Sequence, residues 1–165
     1  TACGDSGLSN ENNVYAEDGY AEGSLGDVMN TYFFTYTVND AYVCEQYEDY
    51  VPAEGFDLLV ADVTIKNVSG DSITMYDTDF QVQWGDDEND DAFDVPITYY
   101  VETTEKISED IFPYEYELKN KESRNGLLVF EVPEGKSEYS ISYMEYFSDD
   151  TSGDTFFVYF TAEKK

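Results

Sequence analysis

The stretch FDLLVADVTIKNVSGDS, Phe56 to Ser72, decides how the rest of the chain is read. Leu59, Ala61, Val63 and Ile65 fall on one face, and Asp62, Thr64 and Lys66 fall on the other. That two-residue period is the signature of a strand with one face buried. Ser69-Gly70-Asp71 supplies the turn residues that end it. Upstream, Phe33–Val43 (FFTYTVNDAYV) alternates in the same way, with Asn39-Asp40 as a bulge, and Leu25–Met29 is a short strand candidate. Downstream, Ile73–Tyr76 is brief, and DFQVQWG turns Phe80, Val82 and Trp84 inward against Gln81 and Gln83.

The middle of the chain is less regular. Val95–Val101 reads either as a strand or as an irregular crossing, and Glu102–Pro113 has room for a helical turn. Glu115–Lys119 reads as an edge strand whose charges guard it against further pairing. GLLVFEVPEG, Gly126 to Gly135, is a buried strand stopped by Pro133. Tyr139–Tyr146 sets Tyr139, Ile141 and Tyr143 against Ser140 and Ser142. Thr155–Ala162 (TFFVYFTA) closes the domain after a turn at Ser152-Gly153-Asp154. Short strands at even spacing, with no convincing amphipathic helix, predict an all-β antiparallel sandwich of about seven to nine strands. The pattern alone also admits a closed barrel.

At 165 residues the chain is long enough to bury a core without disulfides. We read 1–23 as a flexible acidic tether and 24–165 as the single folded domain. With 16 Tyr and 11 Phe, that core is built from large rings together with β-branched residues. Eight Lys and Arg against 37 Asp and Glu give a net charge of −29. Such a surface cannot displace counterions from phosphates, so nucleic acid is excluded as a partner, and direct docking on anionic lipid is disfavoured. Solubility and self-repulsion are the plain consequence of the charge, and attraction of cations or of a basic partner is the sharper one.

Two cysteines and no histidine narrow the chemistry further. A zinc site lacks its usual ligand set, and every mechanism that needs an imidazole is closed. A Cys3–Cys44 disulfide would suit an oxidising compartment. Cys44 lies in an alternating apolar segment and reads as a small buried hydrophobe. The opening Thr-Ala-Cys-Gly resembles the end of a bacterial lipoprotein signal, the lipobox. On that resemblance Thr1 and Ala2 close the signal and Cys3 carries the lipid, with the Gly-, Ser-, Asn- and acid-rich run after it as the tether.

The segments LGD…FFTYTVNDA, VPAEGFDLLVADVTIKNVSGDSITMYDTDFQVQW and NGLLVFEVPEG resemble a family of secreted bacterial lipoproteins with an immunoglobulin-like fold. That family is a domain of unknown function, with the mycobacterial secreted immunoprotective antigen as a structural relative. The resemblance runs from Glu22 to Ala162. Its most specific pieces are the Glu54-Gly55 turn, the strand ending at Lys66-Asn67, Asp79-Phe80, and Gly126 with Phe130-Glu131-Val132-Pro133. It implies an immunoglobulin-like sandwich and a lipid anchor at Cys3 on the extracellular face of the bacterial membrane. It implies no reaction, substrate or cofactor.

Among ionisable clusters, the loop GDDENDD offers Asp86, Glu88 and Asp90, with Asp87 and Asp91, as hard oxygen ligands for calcium. Counted from Asp86, the sixth position is Asp91 where an EF-hand needs glycine, and the twelfth is Ile97 where it needs glutamate. A solvated hairpin loop is the competing reading, as it is for Asp149, Asp150 and Asp154. With 37 acidic residues, a carboxylate pair suited to glycoside hydrolysis arises by chance, so no catalytic residue is assigned. Tyr99-Tyr100 and Tyr114/Tyr116 lie in the irregular region and invite carbohydrate stacking, against packing as the plainer role. Asn67-Val68-Ser69 fits a glycosylation sequon. The expectation is a non-enzymatic cell-surface lipoprotein without cofactor. It serves as a binding module for a protein or glycan of the envelope or, alternatively, as a structural or protective envelope component.

Overall fold

The computed structural model describes residues 12–84 and 93–165. Twelve strands run in chain order: β1 (Asn13–Tyr15), β2 (Tyr20–Gly23), β3 (Val28–Asn30), β4 (Phe34–Cys44), β5 (Phe56–Asn67), β6 (Ile73–Tyr76), β7 (Phe80–Trp84), β8 (Phe93–Asp94), β9 (Glu115–Leu118), β10 (Ser123–Pro133), β11 (Glu138–Tyr146) and β12 (Ser152–Thr161). The one helical element among the described residues is a 3-10 turn at Asp77–Asp79. Strand order is β1-β3-β4-β5-β10 in one sheet and β2-β12-β11-β7-β8 in the other, with β6-β9 as a separate ribbon. The two sheets pack face to face as an immunoglobulin-like β-sandwich and do not close into a barrel.

β5 organises the first sheet because it is paired along its whole length, with β10 on one side and β4 on the other. The register slips between Val38 and Asp40, so Asn39 is the bulged residue, as its position beside Asp40 predicted. Asn39 and Asn125, from the two flanking strands, both donate to Asp62 and Thr64 on the outer face. Inward, Leu59, Ala61, Val63 and Ile65 meet Phe80, Val82, Ile141 and Val158 of the second sheet in one core. Phe34, Tyr36, Phe80 and Tyr143 form its aromatic centre, with ring centroids 4.6–6.2 Å apart.

A second, smaller core lies on the opposite face of β5. Leu58, Val60, Cys44 and Val129 are covered there by Ile107 and Ile111 of the crossing segment. This explains why β5 is buried on both faces from Asp57 to Ala61, where the sequence alternates least. The same segment closes the free edge of β10: Ile97 N–H bonds Val129 O, Leu127 N–H bonds Asp110 O, and Phe112 N–H bonds Leu127 O. Gly126 lets it approach. A Cβ there would lie 3.2 Å from Asp110 O and 3.1 Å from the Phe112 ring.

Three expectations are corrected. The region expected to be tether, up to residue 23, contributes β1 and β2, each paired in parallel at a sheet edge, with β3 and β12 respectively. Glu17 and Tyr20 bond each other across Asp18-Gly19, which have φ of 56° and 96°. An Asp-Gly pair with both φ positive is the preferred two-residue hairpin loop, and Gly19 suits it because it has no Cβ to clash. Second, Ser152-Gly153-Asp154 is strand, and the turn falls earlier, closed by the Phe147–Asp150 and Phe147–Thr151 backbone bonds. Third, the twelve strands among the described residues exceed the expected seven to nine because several short ones have only two to four residues.

Candidate functional site

Tyr76, Asp77, Thr78 and Asp79 connect β6 to β7, and a groove lies on either side of them. The Asp79 carboxylate accepts the Tyr76 N–H at 2.8 Å, capping the 3-10 turn. Burial pushes this carboxyl above the ordinary carboxylate range. The Tyr76 N–H pulls it partly back, and the charge of Asp77 adds to the rise. Asp77 is shifted upward for the same main reason, loss of solvent.

On the Asp79 side lies a groove of about 530 Å³ walled by the start of β4, by β6, and by the ends of β7 and β11. Its lining includes Phe33, Met75, Tyr76, Tyr143 and Met144, with Asp79 as its carboxylate. Tyr76, Met144 and Tyr146 are exposed by 46%, 41% and 61%, so the apolar lining continues onto the surface. Beside it Tyr32, Phe33 and Phe147 pack edge-on and tilted, with centroids 5.0–5.6 Å apart. The segment that carries Tyr32 is clamped by Glu145, a buried residue whose carboxylate accepts Tyr32 N–H at 2.7 Å and Asp154 N–H at 2.9 Å. The aromatic rim is therefore anchored to the sheet.

On the Asp77 side a second groove, of about 550 Å³, is lined by Thr98, Tyr99, Thr104, Lys106, Pro113 and Tyr114. Residues 98–107 fold back on themselves through the Ile107–Thr98 and Tyr100–Glu105 backbone bonds. Alternation along this hairpin explains the tyrosines. Tyr99 is exposed to the groove, while Tyr100 stacks on Tyr50 and accepts Asp49 N–H. Tyr114 is exposed likewise, whereas Tyr116 is buried against Phe112 under the Arg124 guanidinium. One member of each pair faces solvent and the other packs. Thr98 is buried to 6% exposure, and its hydroxyl oxygen finds no hydrogen-bond partner among the described residues, the one such side-chain atom there. An unpaired buried hydroxyl costs about 1–3 kcal/mol.

The other sequence candidates fall elsewhere. Cys3 and the calcium candidates Asp86, Glu88 and Asp90 lie outside the described residues. Cys44 is buried and has no disulfide partner among the described residues, and burial pushes its thiol up, which suppresses thiolate chemistry. The Asp149 carboxylate is occupied by the Thr151 N–H and hydroxyl within its own turn. Among the described residues no group of three or more His, Cys, Asp and Glu side chains is placed to hold a metal ion. The sequon asparagine, Asn67, is fully buried and engaged by Asp71 O, Leu118 O and Ser69, so its amide is not available to a glycan.

The fold defines the class: an all-β, immunoglobulin-like sandwich with a groove on either side of one 3-10 turn. Residues 23–152 match a domain of unknown function, DUF4352, and the chain belongs to that family. It is similar to the yjhA protein from Bacillus subtilis, with 17% identity over 82% of this chain and 99% of that one, at a TM-score of 0.56. It is also similar to a "putative lipoprotein (ycdA)" from Bacillus subtilis subsp. subtilis str. 168, 20% identical over 79% of this chain and 37% of that one, at a TM-score of 0.53. A β-sandwich protein from Clostridium difficile 630 is 14% identical over 88% of this chain and 97% of that one, at 0.45. At these identities the likeness is one of fold. No match was found among curated proteins.

Proposed function

We propose that the protein is a non-catalytic binding module of the bacterial envelope, held at the extracellular membrane face by lipid on Cys3, and that the groove beside Asp79 receives its partner. The observation that carries this is the aromatic and methionine lining that runs from buried Met75 and Tyr143 out to exposed Tyr76, Met144 and Tyr146 around a half-buried carboxylate. Packing does not require Tyr76, Met144 and Tyr146 to lie open to solvent, and Asp79 is desolvated at a cost to stability. Groups kept against stability interests are characteristic of functional surfaces. A chain of net charge −29 with Asp79 in an apolar groove suits a protein segment that presents apolar and basic side chains. The resemblance of Thr1–Gly4 to a lipobox, together with the likeness to ycdA, supports the anchor.

The test is retention of envelope-extract proteins on the immobilised chain. Wild type should capture a basic partner in a salt-sensitive way, and Met144→Asp, Tyr146→Ala and Asp79→Asn should each lose it. Capture of nothing by wild type refutes the binding role and leaves an envelope component without a dedicated ligand. Mass spectrometry of the native protein should show a diacylglycerol on Cys3, and an unmodified cysteine would refute the anchor.

A further inference from the structure

We propose that the second groove, between the 98–107 hairpin and the Pro113-Tyr114 segment, is a binding site for an uncharged carbohydrate. The inference rests on the sandwich being a binding module but uses different side chains, so each can fail alone. Its volume, about 550 Å³, falls in the range of about 300–1,000 Å³ typical of small-molecule sites.

The lining has the mixed character a sugar requires. Tyr99 and Tyr114, 44% and 61% exposed, offer flat apolar faces for the C–H faces of a pyranose, with phenolic hydroxyls at their tips. Pro113 adds an apolar wall. Asp77 accepts hydrogen bonds from ligand hydroxyls, and Lys106 donates them. The Thr98 hydroxyl both donates and accepts. Thr98 is more than nine-tenths buried in the lining, and its hydroxyl oxygen has no partner among the described residues, so a rotation about χ1 towards the groove would let a ligand hydroxyl satisfy it.

Other ligand classes fit less well. An anion would meet one lysine, already ion-paired with Glu109 at 3.6 Å, in a strongly negative chain. A purely apolar ligand would leave Thr98 unsatisfied and strip water from Asp77.

The test is a glycan array probed with the full chain, carrying neutral glucose, galactose and N-acetylglucosamine oligomers beside uronic-acid and sulfated ones, followed by titration of the best binder. Wild type should retain a neutral oligomer and none of the polyanions. Tyr99→Ala, Tyr114→Ala and Thr98→Val should each weaken it about tenfold or more. Thr98→Val matches the residue in shape and removes the unpaired hydroxyl, so its thermal midpoint should hold or rise, which separates lost binding from lost folding. Met144→Asp, in the other groove, should bind the sugar as wild type does. No retained neutral oligomer, preference for a polyanion, or wild-type affinity in the Thr98 and tyrosine variants would overturn the proposal.

Discussion

Asn67 shows how much one side chain can organise. Its amide donates to Asp71 O at 2.7 Å and Leu118 O at 2.9 Å, and its oxygen accepts from Ser69 N and Oγ at 2.8 Å. The end of β5, the Ser69-Gly70-Asp71 turn and β9 are thereby joined through a side chain with no solvent exposure. Asn67→Ala strands these backbone groups and should cost about 2–4 kcal/mol in urea unfolding. A loss below about half a kcal/mol would show that the hub is dispensable. Asp79 gives the opposite sign. Its folded pKa is raised, so its contribution favours folding below the unfolded carboxylate range, about pH 4, and is lost as pH rises through the folded value. Asp79→Asn should therefore match wild type in acid and exceed its stability at neutral pH. A variant no more stable at neutral pH would contradict the desolvation account.

At the scale of elements, the crossing between β8 and β9 acts as a cover, although it has almost no regular structure of its own. It buries Ile107 and Ile111 on the outer face of the first sheet and bonds along the β10 edge. Gly126→Ala pushes against the Asp110 carbonyl and the Phe112 ring, and should lower stability by about 1–3 kcal/mol. Amide exchange should then speed up first at Ile97, Phe112 and Leu127, whose N–H groups make these edge bonds. Uniform acceleration across both sheets would place the strain elsewhere. β1 and β2 are edge additions of the same kind. A chain beginning at Ser24 lacks both and uncovers the edges of β3 and β12, so it should melt below a chain beginning at residue 12. Equal midpoints would make these two strands ornamental.

For the whole molecule, charge and topology set the behaviour. At −29 the folded chain repels itself, so moderate salt, by shortening the screening length, should raise its thermal midpoint. A flat or falling midpoint would mean that the few ion pairs, such as Lys164 with Asp57 at 3.2 Å, outweigh the repulsion. The long central strands were legible because their period of two reports a single buried face, as in Val63, Ile65, Phe80, Val82 and Ile141. The bulge at Asn39 was legible for the same reason. β1 and β2 were missed because strands of three and four residues, NVY and YAEG, are too short to show a period, although Asp18-Gly19 is a strong hairpin loop. Tyr99 and Tyr114 could be named as candidates. That their neighbours Tyr100 and Tyr116 pack away, and that Thr98 lies unpaired beside them, could not.

By itself, then, the sequence determined the all-β class, the interior of the sandwich and the absence of any imidazole chemistry, since composition and short-range alternation are local properties. Tertiary structure alone decided that the irregular crossing shields a second core, and that the turn at Asp77–Asp79 separates two grooves. Those grooves are built from residues far apart in the chain, and their side chains meet only after strand pairing has brought the backbone segments together.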